Sequence, residues 1–187
     1  MATKIDPAIA QMFAQNVRAQ VIASSGGMKL DPQIVEKIAT RVPIFSGMTS
    51  DALMTTLADG ETFPLKAGNP VFREGDLGSA FYVVLAGEVV VQKVRDGEIF
   101  ELARLGPGEC FGEMALVRND VRTATVFAEK DCMTLRFERE RVDDSPQSAY
   151  FIYRNIARIL ASRLDESSVM LADLVFQHKN ITGFTPL

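Results

Sequence analysis

Histidine is nearly absent from this chain. His178 stands alone near the C-terminal end, with no Cys or carboxylate cluster at metal-ligand spacing beside it, so an imidazole-based metal centre has no ligand set to draw on. No nucleophile is paired with a base along the sequence, and catalysis is not expected. Cysteine is scarce too. Cys110 and Cys132 are the only two, too few for a disulfide framework. Both are expected to be small buried hydrophobes on strands, and the chain is expected to be cytoplasmic. Its start, MATKIDPAIAQMFAQ, lacks the charged, apolar, small-residue layout of a secretory signal. No apolar run approaches the ~20 residues that cross a bilayer, so no membrane partner is expected. An excess of positive charge is also missing. Lys and Arg number 20 against 24 Asp and Glu, a net charge of −4, which argues against a nucleic-acid partner.

What is present reads as one folded core with helical appendages. The 187 residues are 47% hydrophobic and 24% charged, an ordinary globular balance. Residues 1–58 carry helical spacing. DPAIAQMFAQNVRAQVIA opens on an Asp-Pro start signal, DPQIVEKIATRV repeats that signal, and Thr49 or Ser50 is placed to cap a third, short helix over Leu53, Met54 and Leu57. Over residues 59–142 the period changes to two. Short β-rich runs such as SAFYVVLAGE, VVVQKVRDGE and CMTLRFER alternate with turn residues, and Asp96-Gly97 is a strong hairpin signal. This pattern predicts a mainly β fold, an antiparallel β-roll or jelly-roll barrel. Residues 143–187 turn helical again. Tyr153, Ala157, Leu160, Leu164, Ser167, Leu171, Leu174 and His178 follow alternating four- and three-residue steps, a heptad seam, with Ile152, Ile156 and Ile159 beside it. The seam leaves two readings open: a helix docked on its own barrel, or one that also forms a homodimer with a second copy.

One stretch does not fit a plain core. FGEMALVRNDVRTATV sets Glu113 and Arg122 among Phe111, Met114, Ala115, Leu116, Val121, Ala124 and Val126. Charges in apolar company are costly unless something pairs with them. A helical turn beginning near Gly112 presents free N–H groups to an anion, and an arginine fork matches two phosphate oxygens. A carboxylate close by accepts from a hydroxyl, as in the ribose contacts of nucleotide sites. A ribose carrying a phosphate satisfies all three features. A buried Glu113–Arg122 ion pair holding a loop satisfies the two charges equally well.

The stretch resembles the phosphate-binding cassette of the cyclic nucleotide-binding domain family, of the catabolite activator and kinase regulatory-subunit type. That pattern is close to F-G-E-x-A-L, a short loop, then R-[TA]-A, and Phe111, Gly112, Glu113, Ala115, Leu116, Arg122, Thr123 and Ala124 fill its places. Upstream, FREGDLGSAFYVVLAGEVVV is similar to the family's E-G-D-x-G-x-x-F-Y strand-turn-strand, and VPIFSGMTSDAL to its helical lead-in. The resemblance implies that Arg122 binds the cyclic phosphate and Glu113 accepts from the ribose 2′-hydroxyl. It implies an anion nest from the amides of Gly112, Met114, Ala115 and Thr123, and it sets Leu102 and Ala103 against the base.

Thr123 suits either guanine or adenine. Ala103 stands where some cyclic-GMP-dependent members place an arginine, which favours cAMP over cGMP as the ligand. No cofactor is expected. The chain carries no kinase, channel or helix-turn-helix output, so it is expected to be a stand-alone sensor or the sensing fragment of something larger. The resemblance implies that residues 146–165 act as a mobile lid, with Tyr150, Phe151 or Tyr153 as candidate caps, and that binding repositions helices read by an effector protein or a second copy. The alternative is a ligand-independent interaction module on a degenerate version of the same fold.

Overall fold

A computed structural model describes residues 32–118 and 121–182. The helix expected over DPAIAQMFAQNVRAQVIA lies outside those residues, as does the Asp31 start signal. The second Asp-Pro helix is present as α1, Pro32–Arg41. A 3-10 turn at Pro43–Phe45 leads to α2, Ser50–Ala58. Thr49 is the cap of α2: its hydroxyl oxygen accepts from the Ala52 amide at 3.2 Å, satisfying one of the orphan donors of the first turn.

Eight strands follow: β1 Glu61–Leu65, β2 Pro70–Phe72, β3 Ala80–Ala86, β4 Val89–Arg95, β5 Glu98–Leu105, β6 Cys110–Phe111, β7 Thr125–Ala128 and β8 Cys132–Glu138. A four-residue helix, α3 Met114–Val117, interrupts them, and α4 Arg139–Asp144 and α5 Pro146–Thr182 complete the described chain. Two four-stranded sheets, ordered β1-β8-β3-β6 and β2-β7-β4-β5, face each other, and every strand pairing is antiparallel. This is the β-roll that the two-residue period predicts. The β4–β5 hairpin closes at Asp96-Gly97, where both residues have positive φ, 54° and 82°, as a tight hairpin turn requires. Strand β6 is too short to show a period and escapes the sequence reading. Cys110 and Cys132 are free and buried on β6 and β8.

The unbroken apolar run of β3 reflects burial on both faces. Tyr82 and Val84 point into the roll with Phe111 and Val126, while Phe81, Val83 and Leu85 point out into a second core with Ile38, Leu53, Phe137 and Ile156. Alternation of side chains across a strand makes one segment the wall between two cores. Helix α5 docks on the outer one. Ile152 and Ile156 are fully buried, each contributing roughly 1.5–3 kcal/mol relative to exposure. Asn155 Nδ2 donates to the carbonyls of Ile44 and Ser46, both at 2.9 Å. The docked face is therefore the isoleucine stripe. Among the seam residues, Ala157, Leu164, Leu171 and Leu174 remain exposed, and the helix runs on with Val169, Met170, Val175 and Phe176 also in solvent.

Candidate ligand-binding cassette

The short strand β6 ends at Phe111, and Gly112 turns the chain with φ 77°. A side chain has no room there: a Cβ would lie 2.8 Å from Arg122 Nη1 and 3.2 Å from the Ala80 carbonyl oxygen. One helical turn follows. Within it the Ala115 amide donates to the Gly112 carbonyl at 3.2 Å, and the Leu116 amide to that of Glu113 at 3.1 Å. The Ala115 amide, expected in the anion nest, is thus engaged in closing its own turn. A helix this short keeps its early donors only where the turn does not bend back to use them.

Arg122 sits in the connection before β7. Its backbone is fixed by the Glu74-Gly75-Asp76 turn: the Arg122 amide donates to the Asp76 carbonyl and the Gly75 amide to the Arg122 carbonyl, both at 2.9 Å. The turn is in turn shaped by Asp76, whose Oδ2 accepts from the Arg73 amide at 2.7 Å. The two sequence motifs therefore form one structure. The Arg122 guanidinium lies over the Phe72 ring, 4.1 Å from its centroid, above a floor formed by Phe72 and the stacked pair Tyr82 and Phe111. Its Nη1 donates to the Gly112 carbonyl at 3.0 Å. Gly78 closes the other side, where a Cβ would meet Nη2 at 2.7 Å and Nε at 2.9 Å. Two glycines and a phenyl ring thus hold a guanidinium that is 5% exposed, and its Nε has no hydrogen-bond partner. Burial draws the guanidinium below its usual range, with Tyr82 the foremost opposing influence.

Glu113 is more deeply buried, at 2% exposure. Its partner is Arg163 of α5: Arg163 Nη1 pairs with Glu113 Oε1, and Arg163 Nη2 donates to the Cys110 carbonyl at 2.8 Å. Burial pushes the carboxyl upward; Arg163 opposes that most strongly, Arg122 less so. Arg163 is the site residue that motif reading misses. It is far from Glu113 in the chain, but it continues the docked stripe of Ile152, Ile156 and Ile159 by one helical step, a spacing visible in the sequence.

The remaining expected residues divide. Thr123 lies at the cassette, its hydroxyl 3.4 Å from Met114 Sδ, and Ala124 is buried beside it. Ala103 packs against the interior of the roll. Leu102 does not: it is 55% exposed, because neighbouring strand residues face opposite sides and only one of the two can face inward. The three candidate caps lie elsewhere on α5. Tyr150 is 61% exposed and forms an edge contact with Phe151, the Arg154 guanidinium lies over both rings, and the Tyr153 hydroxyl donates to Asp143 Oδ1 at 2.8 Å.

Residues 62–149 match the family model described as cyclic nucleotide-binding domain. That segment belongs to the cyclic nucleotide-binding domain family. The cyclic AMP receptor protein of Thermus thermophilus is 34% identical over 136 residues, covering 72% of this chain and 63% of that protein. The crystal structure of the Thermus thermophilus catabolite activator protein superposes with a TM-score of 0.66 at 34% identity, over 72% of this chain and 63% of that one. The regulatory domain of Toxoplasma gondii PKA, crystallised with cAMP, gives a TM-score of 0.57 at 29% identity, over 65% and 48% of the two chains. The chain thus spans just under two thirds of the Thermus relative. Among the described residues of this cyclic nucleotide-binding domain and its flanking helices, no helix is long and apolar enough to cross a membrane.

Proposed function

We propose that the cassette binds a cyclic nucleotide, cAMP in preference to cGMP, and that helix α5 passes the bound state to a second copy or to an effector protein. One observation carries this reading. Glu113 and Arg122 are both buried in one cassette, yet each has found other company: Arg163 holds the acid, while Arg122 has a single side-chain hydrogen bond, to the Gly112 carbonyl, and a buried Nε without one. A phosphodiester adds the negative charge that a buried, under-bonded guanidinium lacks. The ribose hydroxyl completes Glu113, and the aromatic floor with its glycine walls fixes the arginine fork before a ligand arrives, which limits the ordering cost of binding.

Ala103, inward-facing on β5, offers no second polar contact to a guanine, and this supports the preference for adenine. The exposed Leu164, Leu171 and Leu174 of α5, at heptad spacing, support pairing with the same helix of a second copy. The role is one of binding and signalling without chemistry on the ligand. Titration calorimetry of the protein with cAMP, cGMP and a cyclic dinucleotide tests it: saturable one-site binding, tightest for cAMP, is expected. Heat-silent titrations with all three refute ligand control and leave an interaction module.

A further inference from the structure

Helix α5 reaches the cassette through the Arg163 side chain, which pairs with the acid rather than lying against Arg122. Among the described residues, Glu113 has three charged or titratable neighbours on the elements packed around it. They are Arg163 from α5, Arg122 from the connection before β7, and the Cys110 thiol on β6, which burial and the Glu113 charge hold in its neutral form. We propose that Arg163 is a positioning residue of the cassette: it fixes Glu113 as an oriented carboxylate and keeps it off Arg122, so that Arg122 remains the uncompensated cation a phosphodiester meets.

The geometry has the parts this requires. Arg163 grips the loop at two points, Glu113 Oε1 and the Cys110 carbonyl oxygen, so the guanidinium is oriented by β6 as well as by the acid. Arg163 pairs with Oε1 of the carboxylate, and the two oxygens of an ionised carboxylate offer about four acceptor positions, so the group keeps capacity for a hydroxyl. Arg122 is turned the other way, onto Phe72 and the Gly112 carbonyl. Without Arg163, a carboxylate at 2% exposure has two ways to relieve its burial: it takes up a proton, or it swings to Arg122. Either removes the ionised acceptor, and the second also cancels the charge meant for phosphate. Arg163 thereby ties the chemistry of the pocket to the seating of α5, since Asn155 anchors the same helix two turns earlier.

The inference rests on the binding reading above, and its test has one arm that does not depend on ligand. In carboxyl 13C NMR titrations of the protein without nucleotide, Arg163→Met is expected to raise the Glu113 midpoint by about one pH unit or more. Arg163→Lys should restore most of that change, and Arg158→Met, at an exposed position on the same helix, should leave it alone. An unchanged midpoint in a folded Arg163→Met or Arg163→Gln variant overturns the proposal. In the second arm, the parent is expected to prefer cAMP over its 2′-deoxy analogue by about tenfold or more, the size of a hydrogen bond to a charged group. In Arg163→Met the preference should shrink to about threefold or less. Full discrimination in that variant overturns the proposal as well. A parent that binds neither nucleotide refutes the binding reading, while the titration still decides the Arg163–Glu113 link.

Discussion

Replacing Arg122 by methionine separates binding from folding. The thioether chain keeps most of the volume over Phe72 and removes the charge, so the 4.1 Å contact with the ring is exchanged for an ordinary sulfur–aromatic one, worth a similar ~0.3–1.5 kcal/mol. The lost Nη1 bond to the Gly112 carbonyl costs about 1.5 kcal/mol at least, being charge-assisted. Against that, a buried guanidinium without full hydrogen bonding carries a desolvation penalty of a few kcal/mol, which the variant escapes. The two roughly cancel, and the melting temperature is expected to stay within a few degrees of the parent or to rise. Binding has no such compensation. Two hydrogen bonds from a guanidinium to a phosphodiester, at about 1.5–3 kcal/mol each, amount to about 3–6 kcal/mol, or roughly 10²–10⁴ in Kd. Calorimetry with cAMP at matched pH and salt reads the affinity, and differential scanning calorimetry reads the melt. A variant that binds within about threefold of the parent refutes the assignment of Arg122. A variant that loses binding only because it has unfolded shows that the guanidinium is structural.

Gly78→Ala should weaken cAMP binding by about tenfold at little cost in stability, because the new Cβ would press on the far end of Arg122, 2.7 Å from Nη2, a flexible group that yields by moving out of alignment; wild-type affinity in calorimetry would remove Gly78 from the site. For the dimer, Leu164→Asp combined with Leu171→Asp puts charge on two exposed seam positions and is expected to halve the mass measured by light scattering. An unchanged mass means that α5 pairs with nothing, or pairs by another face.

Much of this was readable along the chain because the signals are local. Asp96-Gly97 specifies its hairpin by backbone conformation alone, Thr49 caps α2 within three residues, and the alternation of β7 follows from that strand having one buried and one half-buried face. The grouping of the cassette was legible for the same reason, since Phe111, Gly112, Glu113, Arg122 and Thr123 lie close in sequence, and the fold brings Gly112 against Arg122 and Thr123 against Met114. Leu102 was misplaced beside Ala103 because a motif gives position on a strand without telling which side of the sheet a residue takes. Strand β6, two residues long, has no period at all.

The sequence by itself determined the class of fold and the presence of an acid and an arginine that a plain core does not want, because hydrophobic period and turn chemistry act over a few residues. Only the tertiary structure decided who keeps company with whom. Glu113 pairs with Arg163 rather than Arg122, and Gly78 and Phe72 flank the guanidinium, since these contacts arise from where α5 and the turn before β3 dock. Docking depends on the summed burial of faces such as Ile152 and Ile156, a property of the assembled core that no short segment carries.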